Sequence, residues 1–265
     1  MSARPGEIAE LAAHASADGA SLVVAVGGDG TAHEAVNGLL RAGGRTELAL
    51  IPRGTGEDFA RALGVPSDFD AALGVARDGR VRTIDAGRVR YESYGGDAAE
   101  AFFCSVAGVG MSGAVARRLG TTTKALGGRI AGVLATFAVF SRWKNVELLV
   151  EVDDERRQGL MEDVMVANTE YHNGGMRLCP GAAPDDGLFD VLVIGDVTRR
   201  ELVLTLPKLY RGTHLPHPKA ELIQGKTVTV DASAALPVEL DGEQPGTTPV
   251  RFEVVRGALR VRVPH

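Results

Sequence analysis

The sequence predicts a parallel α/β unit followed by a β-sandwich, on three observations. Apolar runs of strand length alternate with helical patterns in the first third of the chain. Beyond Thr83 the texture changes to short β-branched runs separated by Gly, Pro, Asp and Asn. The 34 glycines in 265 residues, finally, require many tight turns. The boundary is placed after residue 84, giving an α/β unit over residues 1–84 and a β-sandwich or barrel-like unit over residues 85–265.

In the first unit, Glu7 to Ala17 reads as a helix and Leu22 to Val26 as a buried strand. Ala32 to Arg41 is helical, Leu48 to Ile51 a short strand, and Gly56 to Leu63 a helix stopped by Gly64 and Pro66. Ala71 to Arg77 completes this part. The second unit offers strands at Thr83 to Tyr91, Ala101 to Ala107, Val146 to Val152, Met161 to Asn168 and Leu188 to Ile194. Further strands follow at Thr227 to Asp231, Val238 to Asp241, Val250 to Val255 and Leu259 to Val263, the last alternating cleanly with arginine. Helices interrupt the series at Ser112 to Leu119, Ile130 to Phe140 and Arg199 to Tyr210.

Composition excludes several classes. A net charge of −5 without a dense Lys/Arg block argues against a nucleic-acid binder. Two cysteines, Cys104 and Cys179, need no disulfide framework and suit a reducing cytoplasm; both read as buried structural residues. Met1 to Leu11 is polar and mixed in charge, unlike a signal peptide. Ile130 to Phe140 is too short for a bilayer, which needs about 20 apolar residues. It reads as a buried helix, with a pocket-lining or membrane-touching helix as the alternative.

The chemistry concentrates in Gly27-Gly28-Asp29-Gly30-Thr31, where a buried strand runs into a helix. Glycines let the backbone approach a ligand, and a helix N-terminus offers N–H groups and a positive dipole end, an arrangement suited to phosphate. Asp29 would repel phosphate unless it manages a metal ion or a proton, which points to phosphoryl transfer. Thr31 and Glu34 have capping-box spacing. A second strand leads into Gly54-Thr55-Gly56-Glu57-Asp58-Phe59, with Thr55 as the expected helix cap. In a parallel sheet both turns emerge at the carboxyl edge, where ligands bind, placing Asp29 and Asp58 near each other. Gly108-Val-Gly110-Met-Ser-Gly113 has Rossmann spacing but no acidic residue about 20 positions on, so it reads as a tight strand-to-helix connection.

Downstream, Asp185, Asp186 and Asp190 surround a turn that suits a hard cation such as Mg²⁺, although an ordinary Asp-Gly turn explains it equally. Asp241-Gly242-Glu243 reads as a hairpin turn whose glutamate could reach across as a general base. The six histidines form no helical pair and read as solvated or packed.

Taken in order, Gly27-Gly-Asp-Gly-Thr31, Gly54-Thr-Gly-Glu-Asp-Phe59, Asp185-Asp-Gly-Leu188 and Asp241-Gly-Glu243 resemble the diacylglycerol kinase catalytic-domain family, in particular its bacterial soluble lipid kinases. The likeness runs nearly the whole chain and includes Asn168, Gly174-Gly175 and Pro180. Gly-Gly-Asp-Gly alone is shared with NAD kinases and phosphofructokinases; the Gly-Thr-Gly-x-Asp-Phe and Asp-Gly-Glu motifs point to the lipid branch.

The resemblance implies a phosphofructokinase/NAD-kinase-like nucleotide domain, a β-sandwich, and ATP in the cleft between them. It places nucleotide contacts at Gly27, Gly28, Asp29, Gly30, Thr31, Gly54, Thr55, Gly56 and Asp58. It places Mg²⁺ on Asp186 with oxygens from Ala183 and Leu188, makes Glu243 the base, and joins Asp29 to the catalytic network. The acceptor it implies is a diacylglycerol-like or sphingoid alcohol at a membrane surface, reached by a cytoplasmic protein peripheral to the inner face and open to homodimer formation. The chain departs from the family at Glu57, where asparagine is usual. It also departs at the family's first strand with its Asn-Pro-type turn, which would lie upstream of Met1: either the start is misassigned or truncated, or the nucleotide site is incomplete. A kinase of a soluble metabolite such as NAD, and a non-catalytic nucleotide- or lipid-binding regulator, are the alternatives.

Overall fold

The computed structural model of the chain describes residues 4, 6–121, 139, 140 and 142–265. Strands β1 (Leu22–Gly27) and β2 (Glu47–Pro52) pair in parallel, from Leu22 beside Glu47 to Gly27 beside Pro52. Helices α1 (Glu7–Ala17) and α2 (Asp29–Arg41) cross closely, because an ideal Cβ on Gly38 would lie 2.2 Å from the Ala9 carbonyl oxygen. Short α3 (Asp58–Ala62) and α4 (Phe69–Asp78) follow β2, α4 being capped by the Asp68 carboxylate, which accepts from Ala71 N–H at 2.9 Å. Val36, Leu39, Leu48, Ile51, Phe59 and Leu63 fill the first core.

The remaining elements are β3 (Arg80–Ser93), β4 (Ala98–Phe103), β5 (Val106–Gly110), α5 (Met111–Thr121), β6 (Val146–Val152) and β7 (Glu155–Ala167). Then come the ribbon of β8 (Tyr171–His172) and β9 (Met176–Arg177), β10 (Phe189–Gly195) and α6 (Arg199–Arg211). Last are β11 (Ala220–Gly225), β12 (Thr227–Ala232), β13 (Pro237–Leu240) and β14 (Glu243–Val263). Pairing runs β5–β7–β6–β12–β14–β13 and returns to β5, all antiparallel, so the ladder closes on itself. Inside lies a second core. Phe103 stacks on Phe189 at 5.5 Å and meets Phe252 edge-on at 6.0 Å. Gly87 admits Phe103, whose ring carbon lies 1.9 Å from where a Cβ would stand.

The two units share β14. Its first residues form a hairpin with β13, its middle pairs with β12, and β3 runs antiparallel beside it from Gly246 to Val263, while Arg260 and Val261 also run parallel to Glu47 and Leu48 of β2. Leu259, Val261 and Val263 are buried in the first core, and Arg260 and Arg262 reach Glu47 at 2.8 and 2.9 Å. The strands expected at Val250 to Val255 and Leu259 to Val263 are therefore one strand. A bulge at 256–258, with Gly257 at φ +58°, shifts the register between them.

Other expectations change. The strand expected at Ala101 to Ala107 is divided into β4 and β5 at Cys104-Ser105, where a side chain takes the backbone N–H groups. β11 was not expected; its Ala-Glu-Leu-Ile-Gln-Gly sequence has too few β-branched residues to stand out. Thr31 and Glu34 form no capping box, since α2 begins at Asp29 behind Gly28. Glu34 instead accepts from Gly6 and Ile8 N–H, both at 3.1 Å, and so caps α1. A capping box exists at Thr198 and Glu201, at the start of α6. Thr55 does not cap α3 either; Glu57 occupies that position in the left-handed region. The helix expected over Ile130 to Phe140 lies outside the described residues except for 139 and 140, which are helical. Among the described residues no helix is long and apolar enough to cross a membrane.

Candidate active site

The two glycine turns meet as the parallel pairing requires. Arg53 N–H donates to the Gly27 carbonyl at 2.8 Å, and an ideal Cβ on Gly54 would lie 2.5 Å from Gly28 Cα. Both positions need glycine because backbone approaches backbone. Thr31 folds its hydroxyl over Gly27, where a Cβ would stand 2.3 Å from Oγ1. The first-turn N–H groups of α2 have no partner inside the helix and open onto this junction.

Asp29 fastens one turn to the other. Its carboxylate accepts from Glu57 N–H at 2.8 Å and Phe59 N–H at 3.3 Å. Burial raises its pKa against these bonds. A Cβ on Gly56 would be 2.6 Å from Asp29 and 3.6 Å from Asp58, so the two carboxylates flank one glycine. Asp58 is raised by burial and by the Asp29 charge. It accepts from Gly174 N–H at 2.7 Å and from Arg61 at 2.9 Å. Gly174 and Gly175, at φ +80° and +101°, thereby lie against α3, and Arg61 stands where a Cβ on Gly175 would be. Thr55 is exposed on the second turn.

Glu57 has φ +58°, the region in which asparagine is the most tolerated non-glycine residue. Its own carboxylate accepts from Gly54 N–H at 3.1 Å, covering one donor of the second turn with negative charge.

Glu243 comes to the first turn from the other unit. A Cβ on Gly30 would lie 3.2 Å from its Oε1. It is presented by the β13–β14 hairpin, whose two turn residues, Asp241 and Gly242, have φ +50° and +91° as a two-residue hairpin favours. The buried Asp241 carboxylate holds that turn. It accepts from Cys104 N–H at 3.0 Å, Ser105 N–H at 2.8 Å and Val106 N–H at 3.2 Å, and His33 Nδ1 on α2 lies 3.0 Å away. His33, a scattered histidine in sequence, is thus a link between the units, and the break between β4 and β5 supplies the donors.

Behind the hairpin, Glu239 on β13 is fully buried. Its Oε1 accepts from Gly242 N–H, and its Oε2 lies 3.5 Å from His172 Nε2 without a well-aligned bond. Burial pushes Glu239 up to about 8 and His172 down to about 4. The pair is neutral at neutral pH. Sequence gave no sign of it beyond a glutamate inside an otherwise apolar strand. Cys104 and Cys179 are buried and their thiols are pushed well up, as inert structural cysteines.

The acidic turn is fixed from below. Buried Asp85 on β3 accepts from Gly187 N–H and Gly257 N–H, both at 2.7 Å, and its own N–H donates to the Pro184 carbonyl at 2.6 Å. Asn168 donates to the Asp85 and Cys104 carbonyls, each at 3.1 Å. Asp185 is engaged by Arg82 in a two-point pair at 2.8 Å, which lowers its pKa. Asp186 stays exposed, with Oδ1 accepting from Leu188 N–H at 2.9 Å. No group of three His, Cys, Asp or Glu among the described residues forms a metal cluster. What this turn leaves exposed is one carboxylate, an oxygen donor of the kind a hard cation takes alongside water.

The model of the diacylglycerol kinase catalytic domain matches residues 1–89, and that of the YegS C-terminal NAD kinase beta sandwich-like domain matches residues 105–263. A diacylglycerol kinase of Staphylococcus aureus is 30% identical over 257 residues, 97% of this chain and 78% of the relative. One from Staphylococcus saprophyticus is 28% identical over 260 residues, 98% of this chain and 82% of the relative. The crystal structure of a diacylglycerol kinase from Bacillus anthracis superposes with a TM-score of 0.73 at 21% identity, covering 99% of this chain and 83% of that one. Yeast NADH kinase complexed with NADH shares the fold more distantly, with a TM-score of 0.52, 12% identity and coverage of 92% and 62%. The chain belongs to the diacylglycerol kinase catalytic-domain family.

Proposed function

We propose that the protein is an ATP- and Mg²⁺-dependent lipid kinase that transfers the γ-phosphoryl group to the hydroxyl of a diacylglycerol-like or sphingoid alcohol. The observation that carries this reading is the convergence of Glu243, Asp29 and two touching glycine turns at the N-terminus of α2. Gly27, Gly28, Gly30 and Thr31, with Gly54, Thr55 and Gly56, would hold the phosphates through backbone N–H groups, and Asp58 would keep the second turn in place. Asp186, with the Ala183 and Leu188 carbonyls, would hold Mg²⁺, which when bound supplies positive charge against the phosphates.

Glu243 accepts the acceptor's hydroxyl proton as that oxygen bonds to the γ-phosphorus. The bond from the γ-phosphorus to the β–γ bridging oxygen breaks, and ADP leaves. Asp29 orients both turns so that their donors face the spreading charge. We further propose a cytoplasmic protein working at the inner face of the membrane.

The test is transfer of labelled phosphate from ATP to a panel of lipid alcohols, with NAD as a parallel acceptor. Label in a lipid supports the reading. Label in NAD alone replaces it with a soluble-metabolite kinase. ATP binding without transfer to any acceptor makes the chain a regulator.

A further inference from the structure

Three ties close a triangle around the candidate site. Asp29 joins the first glycine turn to the second, and His33 joins α2 to the β13–β14 hairpin through Asp241. The third side, from the second turn to the hairpin, runs through the β8–β9 ribbon. At one end of the ribbon Gly174 N–H donates to Asp58 at 2.7 Å, and the Arg61 guanidinium lies over the Tyr171 ring at 5.7 Å. At the other, His172 Nε2 stands 3.5 Å from Glu239 Oε2, while Glu239 Oε1 accepts from the N–H of Gly242, the residue before Glu243.

The ribbon itself is braced. Ser105 Oγ lies 2.8 Å from Thr169 Oγ1 and donates to the Tyr171 carbonyl at 3.3 Å, and Glu170 pairs with Arg177 at 2.8 Å. A short element held at both ends passes a displacement of one end to the other. Glu239 is the costly part of this path. Val238 and Leu240, its neighbours on β13, fill the second core, and burying a carboxyl beside them is unfavourable unless it is bonded. An apolar side chain would avoid that cost but could not hold Gly242 N–H.

We propose that His172 and Glu239 are positioning residues: through the β8–β9 ribbon they carry the placement of the Asp58 turn to the Gly242 backbone, and so set where Glu243 stands. The inference rests on the lipid-kinase reading for the role of Glu243, although the mechanical link requires no turnover. The link works with Glu239 protonated. The groups that face it are His172 on the ribbon, Asp241 and Glu243 on the hairpin, and Asp163 on β7 with Glu162 beside it. Strand β5, between β13 and β7, has no ionisable side chain, and His33 of α2 faces Asp241 instead. All the facing groups except His172 are acids, and burial keeps His172 neutral. An ionised Glu239 would therefore stand among like charges without a cation, and would push the hairpin away.

The experiment is a double-mutant cycle of Asp58→Asn and His172→Phe on the full chain, read first by hydrogen exchange of the hairpin amides without any ligand. Each single variant should speed that exchange by about tenfold or more, and the double variant no further than either. Glu239→Leu, which fills the same space, takes the place of His172→Phe in a second cycle and should give the same result. His172→Gln, whose amide can stand near the Nε2 position, should restore slow exchange. Phosphate transfer is the second readout: His172→Phe should lower kcat about tenfold while KM for ATP changes little. Above a pH of about 8 the wild type should lose kcat as Glu239 ionises, whereas Glu239→Gln should keep it. Additive effects in the cycles overturn the link, as does His172→Gln behaving like His172→Phe. Identical pH profiles for the wild type and Glu239→Gln remove Glu239 from it. Exchange is read without turnover, so non-additive cycles in a chain that phosphorylates no acceptor keep the link and discard the lipid-kinase reading.

Discussion

His33 Nδ1 meets the Asp241 carboxylate at 3.0 Å, joining residues 208 positions apart. One lies on the helix that opens at the first glycine turn, the other in the hairpin that carries Glu243. The bond therefore sets where the hairpin stands relative to Gly30. His33→Ala leaves Asp241 its three backbone donors, so the fold should persist while kcat falls about tenfold or more and KM for ATP changes little. His33→Asn, whose amide can stand near the Nδ1 position, should recover part of the loss. Steady-state kinetics of both variants check this; equal loss in the two would exclude the hydrogen bond as the cause.

Asp29→Ala should abolish transfer and also lower stability, because the Glu57 and Phe59 N–H groups lose their acceptor. Leaving buried donors unpaired costs about 1–3 kcal/mol. Thermal melting and labelled-phosphate transfer on one preparation separate the two effects. An active Asp29→Ala variant would remove Asp29 from the site.

Glu243→Gln should behave differently. Glu243 is exposed, so melting should not move, whereas loss of the base should slow transfer by about 10²–10⁴-fold. Retained activity would show that another group takes the proton.

Glu239 makes stability depend on pH. Raised to about 8, it keeps a proton in the folded chain that the unfolded chain has already released. Stability from this group therefore falls as pH rises toward about 8. Glu162, raised to about 7, acts with the same sign up to there, and Asp163 is raised as well. His172, held down to about 4, acts with the opposite sign between about 4 and its ordinary value of 6.5. Between pH 7 and pH 8 the melting temperature should fall in the wild type and fall less in Glu239→Gln. The ceiling for one proton is about 1.4 kcal/mol per pH unit. Identical slopes would place the proton elsewhere.

Glu57→Asn should raise both stability and ATP affinity. Asparagine tolerates the left-handed backbone at this position, and the substitution removes the carboxylate that now covers Gly54 N–H. A few tenths of a kcal/mol in melting, and a KM for ATP lower by about threefold or more, are the expected outcomes. An unchanged KM would show that Gly54 N–H takes no part in nucleotide binding.

Local pattern made much of this architecture legible. The Gly27–Thr31 and Gly54–Phe59 turns are contiguous words whose meeting follows from parallel pairing, and β6 falls where its alternation places it. What escaped was long-range. Nothing near Thr31 tells that Glu34 caps α1, because its partners are set by how the helices cross. Nothing near His33 announces Asp241. Asp85 sits inside a strand pattern, and its work is done on the turns around Gly187 and Gly257. Such carboxylates satisfy backbone groups remote in sequence, and that information appears only once the chain is folded.

The course of β14 has a mechanical consequence. A strand whose two ends belong to different cores acts as a tie between them, and the bulge around Gly257 is the break in its register that lies nearest the first core. The two units cannot swing apart as beads on a string. Melting either core pulls a strand out of the other, so the chain should come apart in a single cooperative step.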